Sequence, residues 1–360
     1  MGDYSKYISD ARRPIPTPER LVGTDGKCVF GTFESEFRTF ALTEAERPTD
    51  APQLMNGMKL TRWEACEICL KDGVLLSGVC NMGLFGVIVN VFYDKRTGRA
   101  TQWSVNVPGP GASIAPNLLG GSVTEGGDGK NFVRYKNTFE NGECLVSGRA
   151  PGKYGEAVNY EFTLKRISKP SVVSIPFGPN RPLYTQKDFF KAEGKLTVNG
   201  ETFASDENTV AIIDDHRGYY PRRAHYDWVT TMGRCVQGGE EKFIAVNLTK
   251  NQSIDPEKYN ENLIWLEGRA CPLPPVRFQQ SVKSAESGGK SVWTVRDDHG
   301  MVDVSFETTD MVSTIAHAGI VNIDYYIAFG GISGYVMDED GNRYVLDGLP
   351  GIGEDKTLLF

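Results

Sequence analysis

The segment from Asp214 to Trp228, DDHRGYYPRRAHYDW, carries the densest set of chemically active side chains in the 360-residue chain. It contains three aspartates, three arginines, two histidines, three tyrosines and a tryptophan, so its carboxylate and guanidinium charges balance. An isolated buried charge is costly, and a segment that brings its own ion-pair partners can line an enclosed polar site. The pattern predicts a pocket for an apolar small molecule in which acid–base chemistry is possible.

Within this segment we expect Asp215 to donate or take a proton, and His216 to orient it or act as the partner base. The tyrosine hydroxyls are candidate donors to a developing oxyanion, and arginine can clamp a carboxylate in bidentate fashion. The candidate catalytic residues are Asp215, His216, Tyr219 and Tyr220. The candidate substrate-binding residues are Arg217, Arg222, Arg223, His225, Tyr226, Trp228, Asn247, Glu261 and Asn262.

Two other interpretations fit the same residues. The charged segment could be an exposed, salt-bridged loop, or a barrel plug whose ion pairs fix the fold. Glu261 and Asn262 precede the apolar run Leu263–Leu266 and could either point into a pocket or cap a turn.

The sequence lacks the signature motifs of several classes of enzyme. The chain contains no P-loop, no complete GxGxxG and neither HExxH nor GxSxG. No pair among its four histidines has the spacing of helical metal ligands, and Cys66 and Cys69 fit two thiols on a strand better than a zinc site. We therefore expect no cofactor and no metal. A net charge of −7 without a basic stripe makes nucleic acid an unlikely partner.

The elements that must position these residues are strands. Short runs rich in β-branched and aromatic residues recur along the chain, separated by glycine-containing turns, which is typical of barrels and sandwiches. The alternation of Tyr160, Phe162 and Leu164 with polar residues predicts a half-buried strand. Only Thr185–Glu193 and Ile254–Glu261 read as helical windows.

One uncharged stretch, from Gly73 to Tyr93, is long enough to span a bilayer. Its four glycines and two asparagines instead favour two apolar strands, Val74–Cys80 and Phe85–Tyr93, joined by a turn at Asn81–Gly83. We expect no stable membrane span. The first residues show no apolar leader region, so we expect a cytoplasmic protein.

Beyond composition and spacing, several runs resemble a known family in the same order. They are LYTQKDFFKAEGKLTVNG, AIIDDHRGYYP, HYDW, FIAVNL, ENLIWLEG and FGGISGYVMDEDGNRYVLDGLPGIGED. Over roughly residues 60–355 the chain resembles the domain-of-unknown-function family 2804. The spacing of Tyr184, Gly194, the Asp215–His216 pair and Trp228 is also similar to carotenoid hydratase (hydroxyneurosporene synthase) and AttH-like proteins.

The resemblance implies an all-β fold of two tandem lipocalin-like antiparallel β-barrels with few short helices. We expect an N-terminal arm at residues 1–24, a first barrel at 25–215 and a second at 216–360. The resemblance also implies cofactor-free hydration, cyclisation or isomerisation of apolar unsaturated molecules. The family's Asp and His map onto Asp215 and His216, whereas Arg217 and Gly218 replace the acidic residue and tryptophan of many relatives.

Two functions follow from these expectations. The first is a cofactor-independent hydratase, isomerase or cyclase that acts on a hydrophobic unsaturated small molecule. The second is a non-catalytic protein that carries a lipid, an isoprenoid or an aromatic metabolite in the same barrel. The substrate and the oligomeric state are left open by the sequence.

Overall fold

The computed structural model describes residues 3–152, 157–318 and 321–359. Its strands form two sheets, of 14 and 10 strands, and the described residues contain one short α-helix, α1 (Asn56–Lys59). The prediction of an all-β chain is confirmed. Short 3₁₀ turns occur at Ser5–Tyr7, Asp10–Arg12, Leu42–Glu44, Gln53–Met55, Gly109–Gly111 and Phe139–Asn141.

The chain divides into two compact units. The first contains Pro14–Phe92 and Thr101–Tyr220, and the second contains Met1–Arg13, Tyr93–Ala100 and Pro221–Phe360. Of the expected arm at residues 1–24, Met1 and Gly2 lie outside the described residues. Ile8 and Arg12 in this arm are buried.

Nearly all of the first sheet lies in the first unit. Its strands are β1 (Gly31–Phe33), β2 (Thr61–Cys69), β3 (Gly73–Asn81), β4 (Phe85–Asp94), β5 (Arg99–Pro108), β6 (Ala112–Ser113), β7 (Ser122–Gly127), β8 (Phe132–Thr138), β9 (Glu143–Pro151), β10 (Ala157–Arg166), β11 (Ser171–Gly178), β12 (Arg181–Val198), β13 (Glu201–Ala204) and β14 (Val210–Gly218). The main path runs β5-β4-β3-β2-β14-β12-β10-β9-β8-β7-β6, with antiparallel neighbours, so β14 lies near its middle.

This first sheet curls into a nearly closed barrel. Strands β6, β7 and β8 return against β3. At Gly126 on β7, any side chain would collide with Ile88 of β4, so glycine permits this close approach. The interior is filled by buried apolar side chains, including Ile68, Val79, Phe162, Phe190 and Ile213.

The alternation predicted for the strand around Tyr160 is confirmed. On β10, Val158, Tyr160, Phe162 and Leu164 are buried while the residues between them are exposed. One face of this strand therefore packs into the barrel and the other meets solvent.

The second sheet belongs to the second unit and forms a half-barrel. Its strands are β15 (Arg223–Gln237), β16 (Glu240–Lys250), β17 (Leu263–Leu266), β18 (Arg269–Pro272), β19 (Arg277–Gln280), β20 (Val292–Arg296), β21 (Val302–Ala318), β22 (Val321–Met337), β23 (Arg343–Val345) and β24 (Leu349–Leu359). They run in the order β18-β17-β16-β15-β24-β22-β21-β20-β19. Its core includes Val229, Ile244, Trp293, Phe306 and Ala328.

Both predicted helical windows are wrong. Thr185–Glu193 lies inside β12, and Ile254–Glu261 forms turns. From Pro182 to Phe190 every residue of β12 is buried, polar and apolar alike, and Lys187 and Asp188 form ion pairs there. Two-fold alternation of hydrophobicity is therefore absent from this part of the strand.

The uncharged stretch forms a hairpin, as predicted. Strands β3 and β4 enclose the turn at Met82–Leu84, where Gly83 has a φ of 81° that suits glycine. Within the described residues, no helix has the length and apolar character needed to cross a membrane.

Candidate active site

Strand β14 presents chemically different side chains on its two faces. Ala211 and Ile213 belong to the barrel core, and the alternation of a strand places Asp215 and Arg217 on that same face. Asp214 and His216 lie on the opposite face. The two residues predicted to act as a pair, Asp215 and His216, thus point to opposite sides of the sheet.

On the barrel side, Asp215 is bound by Arg217. The guanidinium donates two hydrogen bonds to the carboxylate, of 2.8 and 3.0 Å, and a third of 2.9 Å to the carbonyl of Pro116. It also lies 4.3 Å from the ring centroid of Phe40. Burial raises the pKa of Asp215, and the charge and hydrogen bonds of Arg217 oppose that shift. This arrangement is a fixed, desolvated ion pair.

A second carboxyl group faces the same interior. Glu64 on β2 is the direct cross-strand partner of Asp215, and it is fully buried. Asn137 donates a 3.2 Å hydrogen bond to its Oε2 atom. Burial, reinforced by the negative charge of Asp215, raises the pKa of Glu64 to about 8. At neutral pH the barrel therefore contains a protonated glutamic acid beside the Asp215–Arg217 pair.

On the other face of β14, three titratable groups form a triangle, which we call the Lys187 triangle (Lys187, Asp214 and His216). The Asp214 Oδ1 atom lies 3.0 Å from Lys187 Nζ and 2.8 Å from His216 Nε2. The Nζ and Nε2 atoms are 2.7 Å apart. Lys187 lies beside Asp214 because the two residues are direct cross-strand partners on β12 and β14.

The environment of this triangle is desolvated. Lys187, Asp214 and His216 are 2%, 9% and 6% exposed. Burial by itself raises the pKa of Asp214, but the charges of His216 and Lys187 outweigh it and lower the pKa to about 2. The hydroxyl of Thr185 lies 3.0 Å from His216 Nε2 and 3.2 Å from Lys187 Nζ. A carboxylate, an ammonium group and a hydroxyl therefore meet around one imidazole nitrogen.

Aromatic rings adjoin the triangle. The Trp63 ring stacks on His216 with centroids 4.4 Å apart, and Tyr220 lies nearly parallel to Trp63 at 6.0 Å. Phe177 meets Tyr220 edge-on at 5.8 Å. Trp63 and Tyr220 are half-buried, so this aromatic group offers partly accessible apolar surface beside the imidazole.

The remaining tyrosines and arginines of the predicted cluster occupy different surroundings. Tyr219 is fully buried and donates a 2.8 Å hydrogen bond to the Leu42 carbonyl. Arg222 and Arg223 are exposed. In the second unit, the Tyr226 hydroxyl donates to Glu354 at 3.0 Å.

The polar residues predicted further along the chain lie in the second unit, in a buried hydrogen-bond network. Trp228 donates a 2.6 Å bond to Asn247, whose amide donates in turn to the Glu261 carbonyl at 2.8 Å. The Asn262 side chain accepts from the Thr249 backbone at 2.6 Å. The amides thus link neighbouring segments through hydrogen bonds to backbone groups, as structural asparagines do.

His225, also in the second unit, is exposed and has carboxylates beside it. Its Nε2 lies 3.3 Å from Asp227, and its Nδ1 lies 3.9 Å from Asp355 and 3.0 Å from the Thr357 hydroxyl. The hydrogen bond to Asp227, together with the charges of both aspartates, raises the pKa of His225. Imidazole and two carboxylates are also a donor set that can hold a metal ion.

Sequence reasoning missed Lys187, Trp63 and Glu64. Lys187 lies in a window predicted as a helix, and Trp63 and Glu64 lie on β2, whose burial does not alternate regularly. The register of β2 against β14 identifies two of them, because Trp63 pairs directly with His216, and Glu64 with Asp215. This register can be used only after the strand pairing is known.

Comparison with known proteins identifies the family of this chain and two solved structures of similar fold but low sequence identity. A search of the curated proteins gave no significant match. The structure is similar to that of kievitone hydratase from Nectria haematococca, with 13% identity, a TM-score of 0.43, and coverage of 84% of this chain and 90% of that one. It is also similar to CghA with Sch210972, with 12% identity, a TM-score of 0.40, and coverage of 84% and 89%. The model of the family described as Domain of unknown function (DUF2804) matches residues 12–360, so the chain belongs to this family.

Proposed function

We propose that this protein is a cofactor-independent enzyme that adds, removes or relocates a proton on a hydrophobic unsaturated small molecule, as a hydratase, isomerase or cyclase. The observation that carries the proposal is the Lys187 triangle beside Trp63 and Tyr220. It places groups with different proton affinities within 3.0 Å of one another, next to an apolar surface.

The chemistry of an imidazole nitrogen makes this triangle a proton-transfer device. When Nε2 carries a proton, it donates to Asp214 and cannot accept from Lys187. When Nε2 is unprotonated, it accepts from Lys187 and faces the Asp214 carboxylate without a hydrogen bond. Each state therefore leaves one of the two close contacts of Nε2 without a hydrogen bond. An imidazole with a donor on one side and an acceptor on the other can act as both general acid and general base.

In a hydration, the enzyme adds one water molecule across a carbon–carbon double bond. One alkene carbon receives a proton from the imidazolium, water attacks the other carbon, and a proton of that water returns to the imidazole. Positioned proton transfer typically contributes ~10²–10⁴-fold in rate. Lys187 and Asp214 hold the imidazole in place through contacts of 2.7 and 2.8 Å with Nε2.

The roles expected for Asp215, Tyr219 and Tyr220 remain proposals. Tyr220 is the tyrosine that lies against Trp63, so we assign it the role of hydrogen-bond donor to the substrate. Tyr219, bonded to a backbone carbonyl, positions the segment that precedes Tyr220. Asp215 supports β14 from the barrel side through Arg217.

The neighbouring aspartates offer a matched experiment. Apolar molecules bound to the purified protein are extracted and identified by mass, then incubated with enzyme in water. A gain of one water or a rearranged isomer reports turnover. We expect Asp214→Asn to reduce kcat by at least about tenfold, by weakening His216 as an acid–base group.

Asp215→Asn is the control on the opposite face of the same strand. We expect it to lower the thermal midpoint while the folded enzyme keeps its kcat. Loss of turnover in Asp215→Asn with normal turnover in Asp214→Asn would reverse the assignment and return the catalytic role to Asp215. Unfolding curves of both variants separate a lost active site from a lost fold.

A second function, ligand carriage without reaction, is favoured by one observation. The members of the Lys187 triangle bond to one another and are each at least nine-tenths buried, as expected of a structural ion cluster. Under this alternative the recovered molecule keeps its mass after long incubation. Its affinity would also be unchanged by Asp214→Asn.

A further inference from the structure

The group around His225 lies on the core-side face of the second half-barrel. Val229 on β15 belongs to the core, and Asp227 and His225 follow at two-residue steps on the same face. On β24, a side chain at Gly353 would meet Trp293 and Phe306 of that core, and Asp355 and Thr357 continue its face. The cluster of His225, Asp227 and Asp355 therefore lies just beyond the edge of the hydrophobic core of the half-barrel.

Two like charges oppose each other directly in this cluster. Asp227 and Asp355 are cross-strand partners, and their side chains are only 14% and 18% exposed. Like charges placed opposite each other on neighbouring strands are destabilising. A cation between the two carboxylates would convert this repulsion into attraction.

The distances suit a metal ion of ordinary coordination. One donor atom from each of His225, Asp227 and Asp355 can be chosen so that all lie within 4.8 Å of one another. Ligand atoms about 2.1 Å from a shared ion are separated by about 3.0–3.4 Å in octahedral or tetrahedral geometry. The 3.3 Å separation between His225 Nε2 and Asp227 Oδ2 already meets this requirement.

Outer groups orient two of these ligands. The Thr357 hydroxyl lies 3.0 Å from His225 Nδ1, which leaves Nε2 towards Asp227. Gln280 donates a 3.1 Å hydrogen bond to Asp355 Oδ2, which leaves Oδ1 on the side of the histidine. Hydrogen bonds that fix the unused atom of each ligand are a regular feature of protein metal sites.

We propose that His225, Asp227 and Asp355 bind one divalent transition-metal ion. An imidazole ligand favours zinc, nickel or cobalt over magnesium and calcium, which prefer oxygen donors alone. Three protein ligands leave coordination positions open to water or to a small anionic ligand. The two carboxylates balance the charge of the ion.

The binding test uses the full chain, stripped of metal by a chelator and free of any histidine tag. Zinc titrated into the protein in a calorimeter should bind with one equivalent at the highest-affinity site. Cobalt should give a visible d–d spectrum without a sulfur-to-cobalt charge-transfer band, which distinguishes this site from the cysteines. His225→Gln and Asp355→Asn should each weaken binding at least tenfold.

The chain provides a matched control in His317, which is exposed and lies 2.8 Å from a single carboxylate, that of Asp324. His317→Gln should bind metal like the unaltered protein, since one histidine and one aspartate are insufficient. Unchanged zinc affinity in both His225→Gln and Asp355→Asn, or a sulfur charge-transfer band with cobalt, would overturn the proposal.

Thermal unfolding separates loss of binding from loss of fold. Metal-free Asp355→Asn should unfold at or above the midpoint of the metal-free parent, because the opposed charges are gone. Added zinc should raise the midpoint of the parent and leave that of the variant unchanged. A zinc-dependent rise of equal size in both proteins would contradict the assignment.

Discussion

Glu64 permits a quantitative test of the barrel interior. Its carboxyl group has a pKa of about 8 in the folded protein, against a usual value of 4.5. At pH 7 the folded protein therefore holds a proton on Glu64 that the unfolded chain has released. The contribution of this group to stability is complete below pH 4.5 and is lost progressively as the pH rises to about 8.

The magnitude follows from the pKa shift. From pH 4.5 to pH 7 the free energy of unfolding falls by about 1.4 kcal/mol per pH unit because of this group, or about 3 kcal/mol in total. Glutamine has nearly the same shape, stays neutral and can still accept the hydrogen bond from Asn137. The free energy of unfolding of Glu64→Gln, measured relative to that of the parent, should therefore rise by about 3 kcal/mol between pH 4.5 and pH 7.

The assay is urea unfolding of both proteins at a series of pH values from 4.5 to 8.5. Glu161→Gln serves as the control, because Glu161 lies exposed on the outer face of β10. Its stability profile should run parallel to that of the parent. If Glu64→Gln also ran parallel to the parent across this range, the protonated-glutamate account of the interior would be refuted.

Three further outcomes are expected. Arg217→Met leaves the Asp215 carboxylate buried and unpaired, so urea unfolding should show a loss of about 3–5 kcal/mol, against at most about 0.5 kcal/mol for exposed Arg222→Met. Gly126→Ala should cost about 1–3 kcal/mol in the same assay, because its methyl group enters a filled interior. Asp214, whose pKa is lowered to about 2, contributes stability that is present above pH 4 and lost as the pH falls towards 2. Acid unfolding of Asp214→Asn should show a smaller dependence on pH in that range.

The sequence predicted the strands best where one face of the sheet is solvated. Around Tyr160, exposed and buried residues alternate, so periodicity alone identifies β10 and its inward face. β12 shows why the method failed elsewhere. From Pro182 to Phe190 both of its faces are buried, and Lys187 and Asp188 pair with residues of other strands, so this part of the sequence shows no two-fold alternation.

The site could be predicted only in part for a related reason. The segment beginning at Asp214 was correctly identified as rich in ion-pair partners, and Asp215 does pair with Arg217. The partners of Asp214 and His216, however, come from β12 and β2, at positions fixed by strand register. Nothing local in the sequence specifies which lysine or tryptophan lies opposite a given residue.

The two-faced character of β14 has a consequence for how this chain can vary. Inserting or deleting one residue just before Asp214 would rotate the strand by half a turn and exchange the inward and outward sets of charges. Arg217 would then leave the barrel and His216 would enter it. Changes that retune the proposed acid–base group are therefore expected on the flanking strands, at positions such as Thr185 and Trp63, while the length of this central strand stays constant.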